Sequence, residues 1–351
     1  MAHDFVPQSI AVVGAGAAGA ACALGLRAAG HRVTVFDKAR GVGGRMATRR
    51  AQWTEATGQV VTAEFDHGAP HFAARSPRFT AALARAEAAG VLARWQPRVH
   101  VDSPLSPAGE RFVPVPGMPA LCRYWLADVP LRLQHTVTEL RRGEEGWHLV
   151  DHDGRADGPF DQVVLAMPPQ QAAALLAGHH DAWAQRLRAL KMDPCWTLMA
   201  VTDEVDWPWD ATEPPRGPLA WVARNDRQPG RTAPAGCAAW VAHATPAWSA
   251  AHLEETAAAV ADELGSALQA LLPRPSGGTL RWHHAAAHRW RYAVPVSGRL
   301  DPWWDASLGL GVCGDALGGG DVEGAWRSGD ELADLIAIEL EQSGATVATV
   351  D

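Results

Sequence analysis

The hexapeptide Gly14-Ala15-Gly16-Ala17-Ala18-Gly19 constrains this chain most strongly, because of what flanks it. An apolar run of strand length, Ser9 to Val13, leads straight into it. An alanine-rich helical stretch, Ala20 to Ala29, follows and ends at Gly30. A second strand, Arg32 to Phe36, then delivers Asp37, 18 residues after Gly19. Strand, glycine turn, helix, strand and acid in this order are what a dinucleotide-binding βαβ unit requires. Gly14 permits the tight turn, Gly16 lets backbone approach a pyrophosphate, and Gly19 lets helix and strand pack closely, with the helix N-terminus facing the phosphates. Asp37 is placed to accept hydrogen bonds from a ribose. The glycine spacing alone would be weak evidence. Gly309-Leu310-Gly311-Val312-Cys313-Gly314 matches it as well, and no helix is expected to follow there.

With 351 residues the chain can form two domains, each burying its own apolar layer. Hydrophobic residues make up 47% and charged residues 20%, which excludes a disordered class. A net charge of −8 without any basic block disfavours nucleic acid or an anionic membrane as the main partner. The five cysteines (Cys22, Cys122, Cys195, Cys237, Cys313) show no CxxC spacing, so a disulfide framework or structural zinc site is not expected and a reducing cytoplasm fits. The uncharged run Ile10 to Leu26 is short and glycine-rich for a membrane span, and the expectation is a soluble protein. Only two of the 31 basic residues, Lys38 and Lys191, are lysines, so any chemistry that needs an amine must use one of them.

Further along, Leu131 to Leu140, Glu145 to Asp151 and Phe160 to Ala166 read as strands, with a turn through Asp153-Gly154 and Asp157-Gly158. Phe79 to Ala93 and Met118 to Ala127 read as helices. From Met192 the pattern changes to short strands (Cys195–Val201, Leu219–Arg224, Cys237–His243) and one long amphipathic helix from about Ala251 to Leu272. Strand Leu280 to His284 then leads to His288-Arg289-Trp290-Arg291-Tyr292. Most of the 16 tryptophans lie in this half, which reads as an antiparallel sheet floor with aromatic cover, and most of those rings are expected in the core. Leu308 to Cys313 reads as a buried strand, a helix of amphipathic pattern follows Asp321-Val322-Glu323-Gly324-Ala325 and runs to about Glu341, and Gln342 to Asp351 reads as a loose tail. No metal site is expected. His67 and His71 are four apart, but Gly68 and Pro70 exclude a helix between them, and His284 and His288 lack a neighbouring carboxylate or cysteine.

After Asp37-Lys38 comes Gly41-Val42-Gly43-Gly44-Arg45-Met46, and near the end Gly314-Asp315 precedes Asp321-Val322-Glu323-Gly324-Ala325. These segments resemble the second phosphate loop and the closing flavin motif of the flavin amine oxidase superfamily. Gly43 and Gly44 would let N–H groups approach a pyrophosphate, and Arg45 offers it a fork donor. The resemblance sharpens over Phe36-Asp37-Lys38-Ala39, Gly43 to Thr48, Phe65-Asp66-His67-Gly68-Ala69-Pro70-His71-Phe72, Pro116-Gly117-Met118, Asp193-Pro194-Cys195-Trp196 and His288 to Tyr292. Together these are similar to the renalases and their bacterial relatives.

That resemblance implies an α/β fold: a Rossmann-type FAD-binding domain of the p-hydroxybenzoate-hydroxylase-like kind plus a substrate domain with a mostly antiparallel sheet. The FAD domain is expected over 1–75, 128–170 and 300–345, the substrate domain over 76–127 and 171–299, and a tail over 346–351. FAD is expected to bind non-covalently through Gly14, Gly16, Ala18, Gly19, Asp37, Lys38, Gly44, Arg45, Met46, His67, Gly68, Ala69, Val137, Gly314, Asp315, Glu323, Gly324 and Ala325. The implied reaction is oxidation of dihydronicotinamide isomers (2- and 6-dihydro-NAD(P)) to NAD(P)⁺, with O₂ reoxidising the flavin to give H₂O₂. His71, His243 and Trp290 are expected to position that substrate, with Phe72 and Arg291 as further contacts. An amine is the alternative substrate, but amine oxidases generally place a lysine near flavin N5, and Lys191 lies in no matching motif. A flavin-binding protein without turnover is the reading from a different class.

Overall fold

In the computed structural model of the protein, residues 6–100, 103–104, 110–273, 280–296 and 298–347 are described, with side chains up to Gln342. The Ser9–Val13 segment forms strand β1, buried on both faces, as an apolar run without alternation requires of a parallel sheet covered from two sides. It pairs in parallel with β2 (Arg32–Phe36) on one side and with Gln162–Leu165 on the other. The full sheet has six strands in the order Trp303–Asp305, Leu310–Val312, Gln162–Leu165, β1, β2, Leu131–Arg132, and only its first pair is antiparallel.

Alternation along β1 sorts the two layers. Ile10 and Val12 face helix α1 (Ala17–Ala28) and the C-terminal helix Asp321–Val347. Ala11 and Val13 face Leu140 and Leu149 of a three-stranded antiparallel sheet and helices Pro169–Leu176 and Asp181–Ala189. Helix α1 and the C-terminal helix meet backbone to backbone: a Cβ on Gly329 would come within 2.0 Å of the Ala18 carbonyl oxygen.

A second, five-stranded antiparallel sheet has the order Ala211–Thr212, Leu219–Arg224, Cys237–Ala244, Met192–Asp203, Trp282–Pro295. Here the two-residue period is plain. Trp196, Leu198 and Ala200 pack with Trp240, Ala242 and helix Ala257–Leu271, while Met199, Val201 and Val241 pack on Ala63 and Phe65. The latter belong to a hairpin of β3 (Thr48–Thr54) and β4 (Val60–Asp66), laid over the second sheet. The α/β architecture read from the sequence is the one observed.

Several expected elements differ in extent. The strand expected over Leu131–Leu140 is two: Gln134, at φ +55°, turns the chain out of the parallel sheet, and Val137–Arg142 joins the three-stranded one. The Asp157-Gly158 turn lies within an edge strand, Ala156–Phe160, whose register shifts there. The expected helix Ala251–Leu272 is two helices, Pro246–Ala251 and Ala257–Leu271, because Thr245 and Thr256 each cap a new N-terminus. A helical turn, Asp315–Gly318, does follow Gly314. The last helix runs to Val347 through the expected tail, of which 348–351 lie outside the described residues. The β3–β4 hairpin and helices Pro169–Leu176 and Asp181–Ala189 had no counterpart in the sequence reading. No helix among the described residues is long and apolar enough to cross a membrane.

Candidate active site

Four parallel strands end together, and the loops that follow them build one rim: Gly14–Gly19, Asp37–Arg45, Ala166–Met167 and Gly314–Asp315. Gly14 turns at φ +120°, its N–H donates to the Phe36 carbonyl at 2.8 Å, and a Cβ there would strike the Ala166 carbonyl oxygen at 2.2 Å. Gly16 is different: the nearest atom to a Cβ would be the Gly43 carbonyl oxygen at 3.8 Å, so the methyl would stand in the gap between the two glycine loops. Gly44, at φ +56°, forms the opposite wall, 3.4 Å from Gly16 Cα to its own would-be Cβ. Gly16 N-caps α1 without any side-chain hydrogen bond, so the first amides of the helix keep their donors for something else. A glycine-walled cradle of N–H groups at the positive end of a buried helix fits a dinucleotide pyrophosphate.

Asp37, at the end of β2, accepts from Ala15 N and Ala39 N at 2.8 Å each, which braces the loop and leaves lone pairs for ribose hydroxyls. Lys38 is exposed beside it. Val137 begins its strand half-buried against the Phe36 layer. Arg45 is not free to fork onto a phosphate: both terminal nitrogens bind Asp315, at 2.6 Å each, and one also donates to Ala293 O at 3.0 Å. The two halves of the rim are thus pinned together by one bidentate ion pair. Gly314 N donates to Ser328 Oγ at 3.1 Å. Met46 is buried in the first core, and Ala69 N donates to Arg45 O at 2.9 Å, seating the His67-Gly68-Ala69 segment on the second glycine loop. Gly324 and Ala325 pack at the helix start, where Gly318 and Gly324 admit no side chain between them.

Facing this rim is a cluster of rings on the second sheet. Cross-strand register aligns Trp221, His243, Thr197 and His288 in one row, and Trp290 lies two residues beyond His288 on the same face. His67 lies over the row, with ring centroids 4.8 Å from His288 and 5.0 Å from Trp290, and its carbonyl accepts from Trp290 Nε1 at 2.8 Å. His71 lies 5.2 Å from Trp221. His67 Nδ1, His71 Nδ1, Trp221 Nε1 and His243 Nε2 are all buried without a hydrogen-bond partner among the described residues. Four such atoms in one cluster point to a ligand that would satisfy them. Burial lowers the imidazoles, His67 to about 3 with help from His288 and Arg49, His71 to about 4 with help from Arg111 and His243, and His243 to about 4. All three are neutral at pH 7, so these imidazoles add no charge to the wall.

Three expected contacts are corrected. Phe72 is a core residue, bridged to Phe112 and packed on Phe79. Arg291 follows Trp290 by one position, so strand alternation turns it to the opposite face, where it binds Glu254 at 2.8 and 3.0 Å. Glu323 is buried and accepts from Arg75 N and Ser76 N at 2.8 and 2.7 Å, holding the start of helix α2 (Pro77–Ala88) rather than a cofactor. Other residues went unread. Thr197, Trp221 and His288 share the row with His243; for Thr197 and Trp221 the only signal was the two-residue period, while His288 lay in the His288–Tyr292 segment without a role of its own. Asp66 forms a buried ion pair with Arg231, Nε to Oδ2 at 2.7 Å, beneath the His67 loop.

A family model described as "Flavin containing amine oxidoreductase" matches residues 100–337, and one described as "NAD(P)-binding Rossmann-like domain" matches 12–86. Among solved structures, the chain resembles a protein assigned as a protoporphyrinogen oxidase from Exiguobacterium sp. 255-15 at 13% identity and TM-score 0.68, covering 96% of this chain and 100% of that one. It also resembles cyclohexylamine oxidase from Brevibacterium oxydans IH-35A at 14% identity and TM-score 0.65, covering 96% and 100% of the two chains. A putrescine oxidase matches at 15% identity and TM-score 0.64, covering 95% and 99%. At these identities the structures speak for the fold, and the family match, over two thirds of the chain, speaks for the chemistry. With a glycine-walled cradle and a cluster of buried, uncharged rings on the second sheet, this chain belongs to the flavin containing amine oxidoreductase family and is an FAD-dependent oxidase.

Proposed function

We propose that the enzyme is renalase-like and oxidises dihydronicotinamide isomers, 2- or 6-dihydro-NAD(P), to NAD(P)⁺. The observation that carries this is the neutral ring wall of His67, His71, His243, Trp221 and Trp290, in which the imidazoles are held uncharged by burial. When bound, FAD supplies an acceptor for two electrons and one hydrogen and passes electrons to O₂, which takes up two protons to leave as H₂O₂. The substrate leaves as its pyridinium form, so no side chain has to remove a proton from it. What the protein must supply is position. Trp290, fixed by its bond to the His67 carbonyl, and His243, fixed in mid-sheet, offer faces for a planar dihydropyridine. The unpartnered nitrogens of His71, His243 and Trp221 offer hydrogen bonds to its carboxamide. Gly14, Gly16, Gly19, Gly44 and Asp37 would hold the cofactor's pyrophosphate and ribose.

Amine oxidation is the second reading, favoured by the family as a whole. Against it, Lys191 is exposed and lies just before an inner strand of the second sheet, where its carbonyl accepts from Val296 N at 3.0 Å. Anaerobic mixing of the FAD-loaded enzyme with isomeric dihydronicotinamides and with amines separates the two. Loss of flavin absorbance with the dihydronicotinamides is expected, and bleaching by amines alone would sink the proposal.

A further inference from the structure

Beside the ring wall is a cavity of about 230 Å³ between β3 and the second sheet, bounded by Arg49, Arg50, Gln52, Met199, His284 and Ala286. Ala51 and Trp53 of β3 pack on the sheet, where Trp53 stacks on His284 at 5.1 Å, and the exposed side chains of Arg49 and Arg50 line the open side of the cavity. Arg45, Arg224 and Arg231 are each bound to carboxylates, whereas Arg49 and Arg50 carry no ion pair among the described residues. Every polar side chain lining the cavity is a nitrogen donor or a neutral group, and none is a carboxylate. His284 Nε2 is buried there without a partner. Burial, and after it the Arg49 guanidinium, lowers His67, His284 and His288, so the Arg49 charge is felt on both the cavity side and the ring-wall side. Along the strand, Ala286 is two residues from His288, about 7 Å, a distance that a ribose spans.

We propose that this cavity takes the phosphate of a pyridine dinucleotide substrate, with Arg49 as its main ligand. The inference rests on the dihydronicotinamide reading and assigns the residue that would hold the substrate's phosphate. A guanidinium without an acidic partner would repel a cationic amine and attract a phosphate at the same place.

The test uses FAD-loaded enzyme, so that the cofactor cradle is already filled. Calorimetric titration with ADP-ribose is expected to show binding that weakens at least tenfold in Arg49→Ala and is largely restored in Arg49→Lys. In turnover, the KM ratio of 6-dihydro-NAD to the phosphate-free 6-dihydronicotinamide riboside should rise at least tenfold in Arg49→Ala. Unchanged ADP-ribose binding in Arg49→Ala, or an unchanged KM ratio, overturns the proposal. So does inorganic pyrophosphate binding as tightly as ADP-ribose, since the site would then hold a free anion. If no dihydronicotinamide reduces the flavin, the catalytic reading fails by itself, and the ADP-ribose titration still decides whether Arg49 builds a nucleotide phosphate site.

Discussion

Replacing Asp66 by Asn tests the frame under the ring wall. The Asp66 and Arg231 side chains are 1% and 3% exposed, and Arg231 Nε and Nη2 approach Asp66 Oδ2 at 2.7 and 2.6 Å. The other carboxylate oxygen accepts from the Thr48 hydroxyl, and Asp66 N donates to Asn225 Oδ1 at 3.0 Å. Asp66→Asn keeps the shape and one acceptor oxygen but leaves a buried guanidinium without a counter-charge, its remaining acceptors being neutral carbonyls such as those of Pro114 and Pro229 at 2.6 Å each. Breaking a buried pair from one side costs about 3–5 kcal/mol. At about 2 °C per kcal/mol, the unfolding midpoint should fall by roughly 6–10 °C. Removing both charges in Asp66→Asn/Arg231→Met should restore at least half of that loss, because no ion is then left without a partner. Scanning calorimetry of the FAD-loaded variants reads both. A single variant within 2 °C of the parent, or a double variant worse than the single, would refute the argument that an uncompensated charge is the cause.

Gly16→Val should lower FAD content, read as the 450-to-280 nm absorbance ratio, with little change in far-UV dichroism, because its side chain enters the cradle instead of the core. Gly19→Val should instead disrupt folding, since its Cβ meets the Gly14 carbonyl oxygen. Because His67, His71 and His243 have lowered pKa values, the unfolded chain binds protons that the folded one refuses as pH falls from about 6.5 towards 4. Stability should therefore be level above pH 7 and drop through that window, and a urea midpoint that stays flat down to pH 4.5 would contradict the burial argument. Trp290→Phe, which keeps a ring but loses the donor to His67 O, should slow anaerobic flavin reduction about fivefold, the equivalent of about 1 kcal/mol. Arg291→Ala should leave KM within twofold, since that side chain faces Glu254 on the far side of the sheet.

Legibility followed sequence distance. The β1–α1–β2 unit was readable because its determinants, Gly14, Gly19 and Asp37, lie within one short window and each glycine has its own steric reason. The β3–β4 hairpin was not, because Arg49, Arg50 and Gln52 break the apolar rhythm with side chains that the fold leaves exposed. Assigning Arg291 to the site failed by one residue of strand phase, which turns a neighbour of Trp290 to the opposite face. Asp66 and Arg231 are 165 residues apart, and no local spacing announces such a pair. Most of the tryptophans do belong to core layers, as Trp196, Trp207 and Trp240 show, and within the aligned row Trp221 is the ring that sequence had not distinguished from them.

The Arg45–Asp315 pair joins positions 270 residues apart, and strand Leu310–Val312 completes the same sheet that β1 begins. During synthesis the first glycine loop is therefore made long before its counterpart. The emerging chain has to keep an exposed sheet edge and an unpaired Arg45 until residues 310–315 leave the ribosome. A chain truncated before residue 315 would carry the nucleotide fingerprint intact and still lack the clasp that joins the two halves of the rim.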